Sequence, residues 1–357
     1  MRVLYFGTYE RAYPRNALVI SSLRAAGVEV VERHATVWDA RRHKWAPGLG
    51  SLLRVAGAET ALLLGRKGAF DAMIVGYPGH FDMPAARRIA RRRPLVFNPL
   101  VSLEDTLVGD RGRYRPGLPA AGVLRRIDRL AFRRADLVVA DTEAHARFFA
   151  SRFELPEERL AVCLLGADDA LFGPGWRPPA VFDVLFVGKL IPLHGLETIL
   201  AGARIAAEIP FRVVGSGQLE GLLEDRPANV EWVPWLEVEE LPAAYRSAGC
   251  ALGIFGTSDK ARRVIPNKAY QALACGTPLV TGDTPAAREL LTDGRDALLV
   301  PPGDPEALAA ALRRLAAEPE LARALGDAGR ATYEARASEA VLGRRWRGLL
   351  ERLLDGR

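Results

Sequence analysis

The sequence predicts an α/β protein made of two doubly wound parallel sheets, and three observations carry that expectation. Short apolar runs of strand length alternate with longer amphipathic stretches along the whole chain. Several of the apolar runs end in a glycine turn. The alternation stops at a Pro/Gly-rich stretch, residues 172–179 (FGPGWRPP), and then starts again. Such alternation gives parallel strands joined by right-handed crossover helices. A chain of 357 residues is also long for one core, so two domains are expected.

Residues 2–6 read as the first strand, ended by Gly7; a helix opens at Pro14-Arg15-Asn16 and closes at Gly27, and residues 28–33 form the next strand. With only Gly7 in that turn the dinucleotide pattern GxGxxG is absent, which counts against a nicotinamide oxidoreductase. Further strands are expected at 71–76, 94–98, 137–141 and 160–165, with Thr142 capping the helix that runs to 153. Residues 87–93 and 124–134 carry arginines four apart, Arg87/Arg91, Arg88/Arg92 and Arg125/Arg129/Arg133. These read either as solvated helix faces or as a surface for an anionic membrane. Few aromatic residues lie among them to stack bases, so nucleic acid is not expected as a partner.

After the break, strands are expected at 184–187, 211–214, 230–233, 251–255 and 279–281. Helices are expected at 195–207, 218–223, 238–247, 304–318, 320–335 and 339–354. Residues 256–262 are a polar, basic loop. Ile265-Pro266-Asn267-Lys268 then opens a helix that Gly276-Thr277-Pro278 ends, the usual helix punctuation. That helix N-terminus follows Arg262 and Arg263 and has Lys268 in its first turn. It is either a place to hold a phosphate or an ordinary turn behind a solvated basic loop. Ligands are expected at the carboxyl ends of the strands, in a central cleft that the two domains face.

Hydrophobic residues make up 49% and charged residues 26%, an ordinary globular composition. No apolar run reaches membrane-spanning length and residues 1–4 start a strand rather than a signal peptide. The expected location is cytoplasmic, with a peripheral place at the inner face of the membrane as the extension. Cys163, Cys250 and Cys275 are scattered in apolar segments, and His34, His43, His80, His145 and His194 are dispersed. Reduced thiols and no metal site are expected. The net charge of +6 suits phosphorylated ligands or an anionic surface.

Several segments in register carry a resemblance: FVGKLIPLHGLETIL (186–200), VVGSGQLEGLL (213–223), NVEWVPWL (229–236), and IPNKAYQALACGTPLVTGDTPAARELL with DALLVPPGDPEALAAAL (265–312). With ADLVVADTEAHARFF and LLGADDALFGPG they resemble the retaining nucleotide-sugar glycosyltransferases of the GT-B fold, family 4 (glycosyl transferases group 1), over roughly residues 136–335. The resemblance implies an N-terminal acceptor-binding domain (1–172), a linker (173–180), a nucleotide-sugar-binding domain (181–335) and a C-terminal helix (336–357) that packs back on the first domain. It implies a metal-independent, cofactor-free transfer of a sugar from a nucleotide diphosphate sugar to an acceptor. The acceptor would be an envelope glycan, a lipid-linked intermediate or a small molecule. The anomeric configuration would be retained, the leaving phosphate taking the acceptor proton on the same face.

By the same resemblance Lys189 and Lys268 stabilise the diphosphate, with Gly188, His194, Gly215 and the amides of Ile265 and Asn267 around it. Trp235 falls at the base, Gln271 at the ribose, and Arg263 and Glu289 near the donor sugar. Asn98 approaches the reacting sugar, with His80 as its rival. Gly7, Tyr9, Arg15, Asn16 and Asp105 face the acceptor. Four positions depart from the family pattern: Lys189 stands for an Arg and loses its bidentate fork, His194 stands for a Lys, and Arg263 and Gln271 stand for the paired glutamates of Glu-x7-Glu. A nucleotide-sugar-binding protein without catalysis is therefore the alternative, and a sugar-nucleotide epimerase of the same fold a more remote one.

Overall fold

The computed structural model describes residues 1–37, 49–64 and 68–356; His43 lies outside them. The chain forms two compact units, the first of Met1–Val108, Gly112–Leu164 and Glu339–Arg357, the second of Gly109–Arg111 and Leu165–Ser338. The Pro/Gly-rich stretch 172–179 thus lies inside the second unit. The expected fold class is the observed one: each unit holds a parallel sheet of six strands with helices on both faces.

Unit 1 begins β1 (Arg2–Gly7), α1 (Pro14–Ala25), β2 (Glu29–His34), α2 (Leu49–Leu64), β3 (Ala72–Val75), α3 (Met83–Ala90) and β4 (Leu95–Phe97). A short helix at Asp105–Asp110 follows, then α4 (Pro119–Arg134), β5 (Leu137–Ala140), α5 (Glu143–Phe153) and β6 (Leu160–Val162). The strand order is β2-β1-β3-β4-β5-β6. Every residue of β3, β4 and β5 is buried, as strands covered on both faces must be. Thr142 caps α5 by accepting from the His145 amide at 3.0 Å.

Unit 2 runs β7 (Val184–Val187), α6 (Leu196–Ile205), β8 (Phe211–Val214), β9 (Val230–Val233), α7 (Leu241–Ser247), β10 (Cys250–Leu252) and α8 (Asn267–Cys275). It continues β11 (Leu279–Gly282), α9 (Pro285–Leu290), β12 (Leu298–Val300), α10 (Pro305–Ala317) and α11 (Pro319–Arg336). Its order is β12-β11-β10-β7-β8-β9. Each sheet reverses its winding once, between β1 and β3 in unit 1 and between β7 and β10 in unit 2. Crossover loops leave such a point in opposite directions and open a crevice at the strands' carboxyl ends.

Local chemistry moved several boundaries. The helix expected at 218–223 is a single 3-10 turn, Glu220–Leu223, behind Gly215-Ser216-Gly217, and α7 starts at Leu241 rather than at 238. The basic stretch 87–93 leaves the helix after Ala90, because Arg91 adopts φ 54°. Arg87 and Arg91 therefore share no helical face; the Arg87 guanidinium folds back onto the carbonyl of Arg93 at 3.0 Å. α2 and the 105–110 helix were not expected.

The last helix, α12 (Glu339–Asp355), belongs with unit 1 and lies along α1. Leu342, Trp346, Leu349 and Leu350 complete the core formed by Val19, Ile20 and Leu23. Gly343 makes the approach close: a Cβ there would stand 2.2 Å from the Ser22 carbonyl oxygen. Trp346→Ala is expected to cost about 3–5 kcal/mol in denaturant unfolding, and Gly343→Val to destabilise by driving α12 off α1. A loss below about 1 kcal/mol for Trp346→Ala would mean that α12 is a peripheral addition to a core complete without it.

Candidate functional site

The winding reversal of unit 2 brings together most of the residues singled out in its sequence. Gly188 ends β7, Gly215 ends β8, and α8 opens with Asn267 and Lys268. Gly188 has φ 149° and Gly215 φ 138°, values that favour glycine. Space demands it as well. A Cβ on Gly215 would lie 1.9 Å from the Gly188 carbonyl oxygen, and one on Gly188 would lie 2.8 Å from Lys268 Nζ. The two turns press together with no side chain between them.

Lys268 is the unusual group here. Its side chain is buried, and its Nζ has no hydrogen-bond partner among the described residues. The ammonium sits 3.7 Å from the centroid of the Phe186 ring. A desolvated cation–π contact stabilises by about 2 kcal/mol, whereas removing an unpaired ammonium from water costs several. Burial wins, and it holds Lys268 well below the usual lysine range. The neighbouring acceptor atom, Asn267 Oδ1, is also buried without a partner. Pro266 precedes α8 and no side chain caps it; the Ala269 amide turns back to the Pro266 carbonyl oxygen at 3.0 Å, which leaves those of Asn267 and Lys268 at the open end of the helix.

His194 closes the group. Its ring Nδ1 is hydrogen-bonded to the Lys189 carbonyl oxygen, and because a carbonyl can only accept, Nδ1 carries the hydrogen. Burial, followed by the nearby Lys268 charge, pushes His194 well below the usual imidazole range. The ring is thus neutral with its lone pair on Nε2, and turns into a donor there only by taking up a proton. Lys189 keeps its side chain exposed. Ile265 is buried one residue before Pro266. Lys268, His194, Gly188, Gly215, Ile265, Asn267 and the Lys189 backbone form one group.

The other unit 2 positions lie around it. Trp235 is 69% exposed in the turn after β9, with its indole donating to Glu237 Oε1 at 3.0 Å. Gln271, one turn on from Lys268, accepts from the Tyr245 hydroxyl at 3.1 Å. Arg263 lies partly buried in a 3-10 turn, Ala261–Arg263, that packs on α9, the helix of Glu289. Two contributors escaped the sequence reading, Phe186 beneath Lys268 and Trp232, whose indole donates to the Gly215 carbonyl at 2.8 Å. Both sit on strands, where an aromatic reads as ordinary core.

In unit 1 the positions expected to face an acceptor are largely occupied by the fold. Asn16 accepts from the Tyr5 hydroxyl at 2.9 Å and from the Tyr77 amide at 2.9 Å, and donates to the carbonyls of Glu10 and Tyr77 at 2.8 Å. The Tyr9 hydroxyl donates to Glu32 at 2.7 Å. Arg15 is fully buried: its Nε donates to Asn98 Oδ1 at 2.7 Å and another guanidinium nitrogen to the Cys163 carbonyl at 3.0 Å. His80 is enclosed by Phe97 and Phe132 and faces Asp128 at 3.3 Å; burial lowers it to about 4. Asp128 meanwhile accepts the amides of Leu103 and Glu104, just before the helix that Asp105 starts. Gly7 is crowded by a residue the sequence did not single out, Asp82, which accepts the Thr8 amide at 2.8 Å and the Thr8 hydroxyl at 2.9 Å. Beside it, Glu59 of α2 is pushed up to about 10 by burial and by Asp82. Asn98 alone keeps an amide nitrogen without a hydrogen-bond partner among the described residues besides its bond to Arg15.

Comparisons with known proteins follow the same division. Residues 2–166 match the family described as Glycosyl transferase 4-like domain, and residues 181–318 the one described as Glycosyl transferases group 1. The chain is 30% identical over 289 residues to a D-inositol 3-phosphate glycosyltransferase of Geodermatophilus obscurus, covering 68% of this chain and 61% of that protein. It is 31% identical over 202 residues to an MMP alpha-(1->4)-mannosyltransferase of Mycolicibacterium hassiacum, covering 53% and 47%. The matched part thus spans less than two thirds of either relative's length. Among solved structures, sucrose-phosphate synthase from Thermosynechococcus elongatus superposes with a TM-score of 0.77 at 18% identity, covering 100% and 99% of the two chains. HepE of Anabaena in complex with UDP-glucose superposes with a TM-score of 0.71 at 16% identity, covering 98% and 99%. The fold is therefore GT-B.

The depressed lysine has a measurable consequence. In the unfolded chain Lys268 titrates near about 10.4. Between its folded value and that one, the unfolded chain holds a proton the folded chain has lost, so stability rises with pH across the window. Lys268→Met keeps the bulk and drops the charge, and is expected to be more stable than the parent at neutral pH. The gap should close by about 1.4 kcal/mol per pH unit as the pH climbs toward the unfolded value. Denaturant unfolding at several pH values checks this; a gap independent of pH would mean that Lys268 stays protonated in the fold.

Proposed function

The chain belongs to the glycosyl transferases group 1 family, and on that premise we propose that it transfers a hexosyl group from a nucleoside diphosphate sugar to a hydroxyl acceptor, with retention and without a metal or other cofactor. The observation that carries this reading is the buried, partnerless Lys268 amine between the β7 turn and the first turn of α8. A lysine stripped of water and hydrogen bonds is poised for a ligand whose negative charge restores its proton. A leaving diphosphate does so, and most strongly in the transition state.

In the proposed step the acceptor hydroxyl oxygen bonds to the anomeric carbon from the face the diphosphate is leaving. The bond from that carbon to the phosphate oxygen breaks, and the acceptor proton passes to a phosphate oxygen. Lys268 and the outward amides of α8 meet the growing charge, with the exposed Lys189 ammonium joining them. His194 takes up a proton once the diphosphate is beside it and then donates from Nε2. Gly188 and Gly215 let the phosphates approach the backbone. Trp235 offers an exposed ring for the base, and Gln271 an amide for the ribose. On the acceptor side the proposal keeps Asn98, through its unengaged amide nitrogen, and the turn at Gly7.

HepE was solved with UDP-glucose, so UDP is the first diphosphate to try. One relative is named for D-inositol 3-phosphate, which makes a phosphorylated polyol a natural first acceptor. The second reading, a nucleotide-sugar-binding protein without turnover, is favoured by Arg263 and Gln271, which stand where the family has its glutamate pair.

Thermal shifts with UDP, GDP, ADP, TDP, CMP and NAD test the proposal. One nucleoside diphosphate should stabilise the parent by roughly 2.7 kcal/mol at a hundred times its dissociation constant, and Lys268→Ala should lose that shift. Sugar release from the matching donor should then be detectable. Binding without release on any acceptor would leave the non-catalytic reading standing, and a shift with NAD alone would overturn both.

A further inference from the structure

We propose that the outer face of the α2–α3–α4 layer of unit 1 is a docking surface for an anionic lipid membrane. The three helices pack side by side and share one core, with Leu62 from α2, Met83 and Ala86 from α3, and Ala131 and Phe132 from α4. Their other side is where large apolar groups are left in water. Val123 is 58% exposed and Leu130 46%, and Leu118, just before α4, is 50% exposed. Leu64 at the end of α2 is exposed as well.

These side chains are set among arginines. Val123, Arg126 and Leu130 are three and four residues apart and form one stripe along α4, opposite the buried Ala121, Asp128 and Phe132. Arg88 and Arg91 lie on and just after the neighbouring α3. Arg88, Arg91 and Arg126 are exposed, and among the described residues no carboxylate pairs with them. The surrounding arginines differ: Arg125 pairs with Glu104, Arg129 and Arg133 share Glu154, and Arg87 pairs with Asp136. Across 83–93 and 119–134 Asp128 is the sole acidic residue, and it is buried. The outer face is left with positive charge around an apolar stripe.

That composition selects the occupant. A face meeting nucleic acid would expose rings for stacking, yet Phe132 of this layer and Phe70 and Phe97, which share its core, are all buried. Exposed valine and leucine among arginines match an interfacial helix face: the apolar groups enter the headgroup boundary while guanidinium groups meet anionic lipids. The long arginine stems reach that boundary without leaving water behind. Among the described residues no helix is long and apolar enough to cross a membrane, so the mode is surface contact. This goes beyond the transfer reading and does not rest on it.

The test is sedimentation of the full chain with vesicles of phosphatidylcholine alone or mixed with phosphatidylglycerol, at low and high salt. The protein should pellet with the mixed vesicles at low salt and be released by salt. Arg88→Gln with Arg126→Gln should weaken the partition about 25-fold, roughly fivefold for each arginine. Val123→Ser with Leu130→Ser should weaken it several-fold while every arginine remains. All four positions are exposed in unit 1, so melting temperature and nucleoside diphosphate binding should match the parent in both variants. Failure to pellet with the mixed vesicles, or pelleting that the Val123/Leu130 variant leaves intact, would overturn the proposal. Duplex DNA displacing the protein from vesicles with equal effect on both variants would instead assign the face to nucleic acid.

Discussion

A lysine held out of water with no counter-charge gives up its proton readily, and the crevice end of unit 2 is built around one. Lys268 could have snorkelled outward from the first turn of α8, but the helix buries it against Phe186, under the Gly188 turn. Everything beside it follows from that placement. Gly188 must lack a side chain because Nζ occupies the space, and Gly215 must because Gly188 leans on it. His194 is held neutral by its own burial first and by the neighbouring Lys268 second. One buried lysine therefore lies against the first of two interlocked turns and adds to the shift of a third group, and a bound anion would favour the protonated form of both Lys268 and His194.

The two units share a winding scheme and carry opposite chemistry at its reversal. In unit 2 the strands β7 and β10 open onto a lysine, a histidine and the N-terminus of α8. In unit 1 the strands β1 and β3 open onto carboxyl groups: Asp82 clamped by Thr8, and Glu59, held protonated by burial beside it. A basic site suits phosphates. A carboxyl group such as Glu59, raised by burial and by Asp82, keeps a proton to donate, while Asp82 accepts from Thr8. The fold supplies the same crevice twice, and the side chains at its lip make each one different.

What the sequence made legible was whatever depends on local pattern. Fully buried parallel strands such as 72–75 and 137–140 read as unbroken apolar runs, and proline before and glycine after α8 marked its ends. Patterns failed where tertiary packing decided. In α2 the sequence LGSLLRVAGAETALLL carries glycines and has apolar residues on all sides, so no periodicity announces a helix. The helix at 105–110 depends on Asp128, far along the chain, which accepts the amides just before it. Arg91 leaves the helical region although the charge spacing continues through it. Lys268, His194, Gly188 and Gly215, singled out by the resemblance and by a helix start, come together at one crevice because they stand at strand ends and at the opening of α8. Arg15, Asn16 and Tyr9 are bonded to neighbouring groups, which the sequence does not announce, since a polar residue near a strand end looks the same whether it meets a ligand or a neighbouring carbonyl.

Arg15 and Lys268 show how that ambiguity is resolved. Both are basic, both sit in the first turn of a helix, and both are buried without a carboxylate. Arg15 spends two of its guanidinium nitrogens, on Asn98 and the Cys163 carbonyl, with the Trp346 ring 5.9 Å away, and its Nη2 is buried without a hydrogen-bond partner among the described residues. A guanidinium so anchored ties α1 to the ends of β4 and β6. Lys268 has a ring on one side and no hydrogen bond on any. Burial alone does not separate a structural cation from a functional one, because both groups are equally buried. Anchoring does: Arg15 is held by two hydrogen-bonded nitrogens and Lys268 by none, and a fold that leaves a buried amine wholly unbonded has either tolerated a defect or reserved a place, for which the Gly188 turn beside Lys268 argues.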